Sequence, residues 1–306
     1  MKKLLFILVL LMIGELAFSQ QLPLYSQYML NDYAYNPAIA GTKDYYLAKS
    51  NNRYQWVGIT DAPRTYILSV YGPHKTKDMG FGGFVFNDVT GPTSRTGLYA
   101  SYAYNVKIND EIRFSSGLSL GILQYKIDGS KIILHDAGDQ TLSDGMYVDY
   151  MPDANLGVYV YSKKFSFGIA ANQLMSNNIN FKEVEELGIN KIKRHLMING
   201  SYLFEISNDF EAEPSLMFKY ISPAPMQFDL NARVIYKKMV WLGFSWRTKD
   251  AFSVMAGYTF KDQLMFGYSY DITTTNLKNY SSGTHELMLG VKFNRIKQPQ
   301  MRAKIE

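Results

Sequence analysis

Apolar and polar positions alternate most clearly between Met239 and Asp271. Val240, Leu242, Phe244 and Trp246 are separated by Trp241, Gly243, Ser245 and Arg247. Thr248, Lys249 and Asp250 interrupt the pattern, which resumes as Phe252, Val254, Ala256, Tyr258 and Phe260 against Ser253, Met255, Gly257 and Thr259. After Lys261, Asp262 and Gln263, Leu264, Phe266, Tyr268 and Tyr270 alternate with Met265, Gly267, Ser269 and Asp271. A strand sends successive side chains to opposite faces, so the period predicts three strands joined by tight turns, an antiparallel meander. No charge falls on the apolar face. That face must meet either a second sheet or lipid, and in a membrane barrel a mid-depth Arg or Lys there costs about 2–4 kcal/mol.

The same period recurs along the chain. Strands are predicted near Asp44–Arg53, Arg64–Tyr71, Met79–Phe86, Arg95–Val106, Glu111–Tyr125, Asp153–Tyr161, Phe165–Asn172, Lys191–Glu205, Phe210–Ile221, Met226–Lys237 and Thr284–Phe293, besides the three of the meander. Pro214 falls inside a strand and predicts a bulge or a shortened strand there. Connections alternate in length. His74–Asp78, Lys107–Asp110, Ser162–Lys164, Ile206–Asp209, Lys237–Lys238 and Lys261–Gln263 are tight, whereas Tyr54–Pro63, Asn87–Ser94, Lys126–Pro152, Gln173–Asn190 and Ile272–Gly283 are longer; two connections of the second set, around Ser222–Pro225 and Thr248–Asp250, are short. Long loops at one end and short turns at the other mark outer-membrane barrels. The fold class is therefore all-β: a transmembrane antiparallel up-and-down β-barrel of about 14 strands. At a spacing of ~4.8 Å and a tilt of ~40°, about 14 strands give a backbone diameter of about 28 Å and a lumen roughly 15 Å wide, unless something fills it. The inward row carries Arg113, Glu211, Glu213, Lys219, Asp229, Arg233, Arg247, Asp271, Glu286 and Lys292, which reads first as a wetted or salt-bridged interior and second as a permeation path. A secreted sandwich or propeller is the competing architecture. It lacks a blade-length repeat and would leave too much apolar surface bare.

The N-terminus changes the compartment. Lys2 and Lys3 precede the apolar run Leu4–Ile13, and Ala17 and Ser19 stand at −3 and −1 of a cut before Gln20, the pattern of a secretory signal. The chain thus divides into a signal peptide (1–19), a periplasmic N-terminal segment (20–42), an outer-membrane barrel (43–295) and a tail (296–306), which reads as disordered or as a periplasmic docking peptide. No cysteine is present, so neither a lipid-modified cysteine nor a disulfide is expected. A net charge of +5 with no clustered basic face gives no argument for nucleic acid.

Catalytic chemistry finds little support. His74, His135, His195 and His285 lie far apart, without metal-ligand spacing. His135, Asp136, Asp139 and Asp144 share the longest loop, which reads as a solvated acidic loop before a calcium site. Gly80-Phe81-Gly82-Gly83 reads as a place where the wall is thin, and no nucleophile elbow or phosphate loop occurs. His285 with Ser281 or Ser282 is the one rim pair resembling a barrel lipase. No enzyme, metal or cofactor is expected.

The motifs concentrate at the front. Pro23-Leu24-Tyr25-Ser26-Gln27-Tyr28-Met29 leads to Tyr35-Asn36-Pro37-Ala38-Ile39-Ala40-Gly41, then Arg53-Tyr54-Gln55-Trp56-Val57-Gly58-Ile59, Ala62-Pro63-Arg64-Thr65, Ser69-Val70-Tyr71-Gly72-Pro73, Asn87-Asp88 and Gly91-Pro92. This order resembles the PorP/SprF family of Bacteroidetes, outer-membrane barrels of the type IX secretion and gliding machinery, over about residues 22–92. The resemblance implies a non-enzymatic outer-membrane protein needed for export or surface attachment of particular cargo, with a type B C-terminal sorting domain on that cargo. It also implies other type IX secretion components, periplasmic or lipoprotein, as partners beside outer-membrane lipid. Tyr25, Ser26, Gln27, Tyr28, Tyr35, Asn36, Pro37, Arg53, Gln55 and Trp56 are the expected partner-binding residues. Two roles stay open for Tyr25–Gly41, recognition as a plug or docking surface and capping of the lower rim; Trp56 reads as a partner contact or a loop anchor. The alternative function is an outer-membrane channel for small solutes.

Overall fold

A computed structural model describes residues 25–132, 145–181 and 191–296. The wall consists of fourteen antiparallel strands: β1 Tyr46–Tyr54, β2 Arg64–Pro73, β3 Met79–Thr90, β4 Thr93–Lys107, β5 Arg113–Asp128, β6 Met146–Tyr161, β7 Phe165–Asn172, β8 His195–Tyr202 continued by Phe204–Glu205, β9 Phe210–Ile221, β10 Gln227–Tyr236, β11 Val240–Arg247, β12 Ala251–Phe260, β13 Leu264–Thr273 and β14 Thr284–Phe293. Each strand pairs with its neighbour in the chain, and β1 pairs with β14 from Tyr46↔Phe293 to Tyr54↔His285, which closes the barrel. Closure leaves no ladder edge without partners, which is what lets a sheet cross lipid.

The longer connections all lie at one end and the other end carries short turns, as the sequence predicts, although the long-loop end also holds the short connections between Ile221 and Gln227 and between Arg247 and Ala251. Two of the expected long loops are partly strand. β3 and β4 stay paired to Thr90↔Thr93 around Gly91-Pro92, where Gly91 takes a positive φ of 57° that a turn of this kind asks of glycine. β6 starts at Met146, not Asp153, and its ladder with β5 runs from Arg113↔Tyr161 to Asp128↔Met146. Pro152 lies inside the strand and does not stop it. Its carbonyl accepts from Asn177 Nδ2 at 2.5 Å, on the side away from β5. β7 pairs with β6 only between Leu156↔Ala171 and Tyr161↔Ser166, so the missing N–H of Pro152 costs no ladder bond. His135 and its acidic neighbours lie outside the described residues.

Pro214 produces neither a bulge nor a shortened strand. β9 continues through it, paired Pro214↔Ala232 with β10. The partner strand breaks instead. β8 pairs up to Ser201↔Ser215 and resumes in the same register at Phe204↔Ala212, because proline has no N–H to offer there. Leu203 turns its N–H to the Lys164 carbonyl at 2.6 Å.

Outward rows are large and apolar. Leu98 and Leu242 are each 64% exposed, and no Asp, Glu, Lys or Arg stands on the outward row of β9–β14. Such a belt is costly in water and neutral in lipid, which places the barrel in a membrane. β1 is the exception, with Ala48, Ser50 and Asn52 outward, and this explains its blurred alternation. We expect Phe244→Arg, at the middle of β11, to destabilise the folded barrel by about 2–4 kcal/mol and Phe244→Leu to leave it within about 1 kcal/mol. Urea titration of vesicle-embedded protein, followed by tryptophan fluorescence, reads both.

Candidate functional site

The lumen is filled by the chain's own N-terminal segment. Tyr25 to Gly41 contains two short 3-10 turns, Asp32–Ala34 and Pro37–Ile39, and most of its side chains are buried, Ser26, Gln27, Ala38 and Ala40 completely. It does not hang below the barrel as a periplasmic piece, nor does it only cap a rim. Tyr25 lines a small cavity together with Ile67, Phe84, Tyr99 and Asn172, and Ser26 meets Arg53, near the long-loop end of the wall. Gly41 lies against Gly80 and Asn105 at the short-turn end. The segment therefore threads the lumen lengthwise before the chain turns back into β1.

Its upstream end is held by charge. Both carboxylate oxygens of Glu286 accept backbone N–H groups, from Ser26 at 2.7 Å and from Gln27 at 3.2 Å. Ser26 Oγ donates to Asp271 at 2.6 Å and accepts from Arg53 at 2.9 Å. Arg53 pairs with Asp271 at 2.8 Å and with Glu286 at 3.2 Å. Arg247 pairs with Asp229 at 3.3 Å and Asp250 at 3.0 Å and reaches the Tyr25 carbonyl at 3.4 Å. Lys219 completes the network at 2.7 Å from Asp229. Arg53, Arg247, Asp229, Asp271 and Glu286 are each at most 2% exposed, so every charge depends on its partners.

Neutral contacts hold the rest. Asn31 Nδ2 donates to Asn51 Oδ1 at 2.8 Å, and Asn51 reaches Glu286 at 3.3 Å. Tyr33 stacks on Tyr71 with centroids 4.3 Å apart and donates to Ser101 at 2.7 Å. The Asn-Pro pair has a mechanical reason. Asn36 Oδ1 accepts from Ala38 N at 3.0 Å, capping the turn that Pro37 opens, while Nδ2 donates to the Val158 carbonyl at 3.1 Å. Ser115 and Asn105 on the wall donate to the carbonyls of Ala38 and Ala40.

The wall is cut to fit. A Cβ on Gly80 would sit 2.2 Å from the Ala40 carbonyl, and one on Gly157 would sit 1.9 Å from Asn36 Oδ1. The Gly-rich start of β3 thus thins the wall, as the sequence suggested. We expect Gly80→Ala to cost about 1–3 kcal/mol, because both crowding partners are backbone. Gly200→Ala, whose nearest neighbour would lie at 3.4 Å, is the neutral control. The temperature at which the barrel unfolds in detergent compares the two.

Of the ten residues expected to bind partners, Tyr25, Ser26, Gln27, Tyr28, Tyr35, Asn36, Pro37 and Arg53 meet inside the lumen and are buried. Gln55 and Trp56 stand apart on the long-loop rim. There Trp56 donates its backbone N–H to Thr284 Oγ1 at 3.0 Å and lines, with Lys219, Met226, Lys249 and Leu277, a cavity of about 320 Å³. Asp229, Arg247, Asp271 and Glu286 were legible as inward charges, but not as the clamp on Ser26 and Gln27. Asn31, Tyr33 and Asn51 carried no distinguishing signal. A second cavity, of about 450 Å³, lies below the segment at the short-turn end. Among the described residues, no group of three metal-ligating side chains converges.

The fold resembles solved membrane barrels. The CymD monoaromatic hydrocarbon channel aligns with a TM-score of 0.52 at 11% identity, covering 90% of this chain and 94% of its own. The Ralstonia pickettii toluene transporter TbuX aligns with a TM-score of 0.52 at 8% identity, covering 89% of this chain and 94% of its own. At these identities the likeness is one of fold alone. No curated protein sequence matches the chain. A family match does, and it extends far past the front motifs, over residues 17–291: the chain belongs to the PorP/SprF family of type IX secretion system membrane proteins.

Proposed function

We propose that this outer-membrane barrel serves the type IX machinery as an accessory that binds protein, and that it is needed for export or surface attachment of particular cargo. The observation that carries the reading is the occupied lumen. A barrel whose interior is threaded by its own N-terminal segment and pinned by buried ion pairs offers its two mouths, not a bore, for work. In this reading Tyr25, Ser26, Gln27, Tyr28, Tyr35, Asn36, Pro37 and Arg53 set the shape of the mouths from inside. Gln55 and Trp56, on the long-loop rim, contact cargo bearing a type B C-terminal sorting domain, while periplasmic or lipoprotein components approach the other end. Gliding would follow where the cargo is an adhesin. The signal-peptide cut before Gln20 belongs to the same proposal.

The test is a strain lacking the gene, complemented with protein carrying a photo-crosslinking amino acid at Trp56 or, as a lipid-facing control, at Leu242. Loss of surface display of a sorting-domain protein, with a crosslink to it from position 56 only, is the expected result. Normal display in the deletion strain overturns the proposal. The small-solute channel is the competing function, and the conductance experiment described in the Discussion decides against or for it.

A further inference from the structure

We propose that the cavity at the short-turn end is a binding site for an acidic, aromatic-bearing peptide segment of a partner protein, and that Lys49 is the cation at its centre. The inference deepens the accessory-barrel reading by giving the chemistry of the partner at the end opposite Trp56, and it rests on that reading only for its biological meaning.

The cavity is walled above by Tyr28, Met29, Leu30 and Asp32 of the threaded segment and reaches the rim at Ser162–Lys164, Lys238 and Asp262. Its volume of about 450 Å³ is that of a small-ligand pocket, enough for a few side chains. Seven cations line it, Lys43, Lys49, Lys163, Lys164, Arg233, Lys238 and Lys292, against four anions, Asp32, Glu211, Glu213 and Asp262, an excess of three positive charges. The pairs account for only part of that set. Lys292 bonds Asp262 at 2.7 Å, Arg233 bonds Glu213, and Lys238 lies 3.5 Å from Glu211. Among the described residues, Lys43, Lys49, Lys163 and Lys164 make no ion pair.

Lys49 is the telling member. It is only 5% exposed, it projects inward from the middle of β1, and its ammonium makes no hydrogen bond among the described residues. Its neighbours are the Tyr71 ring, with the centroid 6.0 Å away, and the field of Asp32. A buried cation with no carboxylate in ion-pair contact among the described residues is costly, and an incoming carboxylate would supply that contact. Five tyrosine rings line the same cavity, Tyr28, Tyr45, Tyr71, Tyr159 and Tyr161, and rings beside cations suit a peptide that brings apolar or aromatic side chains along with its carboxylates. The cavity lies inside the wall, screened from lipid by β1, β7, β8 and β9, which favours a protein segment over a lipid headgroup.

The experiment uses the purified full-length barrel in detergent and two fluorescent hexapeptides, one alternating Glu with Tyr and one alternating Gln with Tyr, read by anisotropy. The acidic peptide is expected to bind about tenfold more tightly than the neutral one, and Lys49→Met to abolish that preference while Lys49→Arg keeps it. Heat-shift on gels verifies that each variant is folded. Lys163→Gln with Lys164→Gln, both at the rim, should weaken the acidic peptide severalfold without touching the buried core. Equal binding of the two peptides, or an unchanged preference in Lys49→Met, overturns the proposal, as does full displacement by inorganic phosphate at the peptide's own concentration, which would make this a site for any small anion. Cargo display in the gene-deletion strain is read separately, so the accessory role and the peptide site can fail independently.

Discussion

Deleting residues 22–40 is expected to turn a silent barrel into a conducting one. Fourteen strands enclose a lumen roughly 15 Å wide once wall side chains are counted, and the structure shows what occupies it. Most of the segment's side chains between Tyr25 and Ala40 are buried, with Gly80 of β3 receding to admit its backbone and Gly157 of β6 to admit the Asn36 amide. The wall does not depend on it for closure, since every strand is paired to two others. Arg53 with Asp271 and Arg247 with Asp229 remain as ion pairs between wall strands when the segment is gone. In planar bilayers the intact protein should pass no resolvable current and the deletion variant should give discrete openings. Current through the intact protein would return the solute channel to first place. A folded deletion variant that stays silent would mean that the mouths, not the segment, close the barrel. The same variant should lose cargo display while still assembling, whereas failure to assemble would assign the segment a purely structural role.

Replacing Arg53 with methionine is expected to destabilise the barrel by about 3–5 kcal/mol, the cost of removing one partner from a buried ionic cluster. Arg53 answers Glu286 and Asp271 at once and also donates to Ser26 Oγ. Without it Asp271 keeps only Arg247, at 3.9 Å, and Glu286 keeps no cation. Joint replacement of Arg53 and Glu286 by methionine removes the orphaned charge, and should be less damaging than the sum of the single changes. Urea midpoints in lipid vesicles for the two single variants and the double variant form the cycle. Additive effects would show that the pair does not act as a unit. Because Glu286 holds the N–H groups of Ser26 and Gln27, the single variants should also expose the segment's upstream end to added protease at a denaturant concentration where the wall stays folded.

The alternation from Val240 to Tyr270 placed its whole apolar row outward, with Trp241 and Met255 of the opposed row buried inside, and the uneven connections separated the two ends of the barrel. Both features are local: a strand alternates its side chains whatever it pairs with, and a turn's length is written in consecutive residues. The misreadings were local conflicts settled by a neighbour. Pro152 was accommodated because β7 does not reach it, and Pro214 because β8, not its own strand, gave way. The inward charges were also legible by parity, and Arg53 was singled out with its motif.

By itself, then, the sequence determined the barrel, its strand order, its two-sidedness and its family. Only the tertiary structure decided where Tyr25–Gly41 goes and what it does there. That segment has no period, and its partners are remote: Ser26 meets Glu286 across 260 positions of the chain, and Asn36 meets Val158 across 122. Such contacts exist only once β1 pairs with β14 and a closed wall surrounds the segment. The same closure brings the Lys49 ammonium into a cavity where no described carboxylate makes an ion pair with it, a juxtaposition that no stretch of consecutive residues contains.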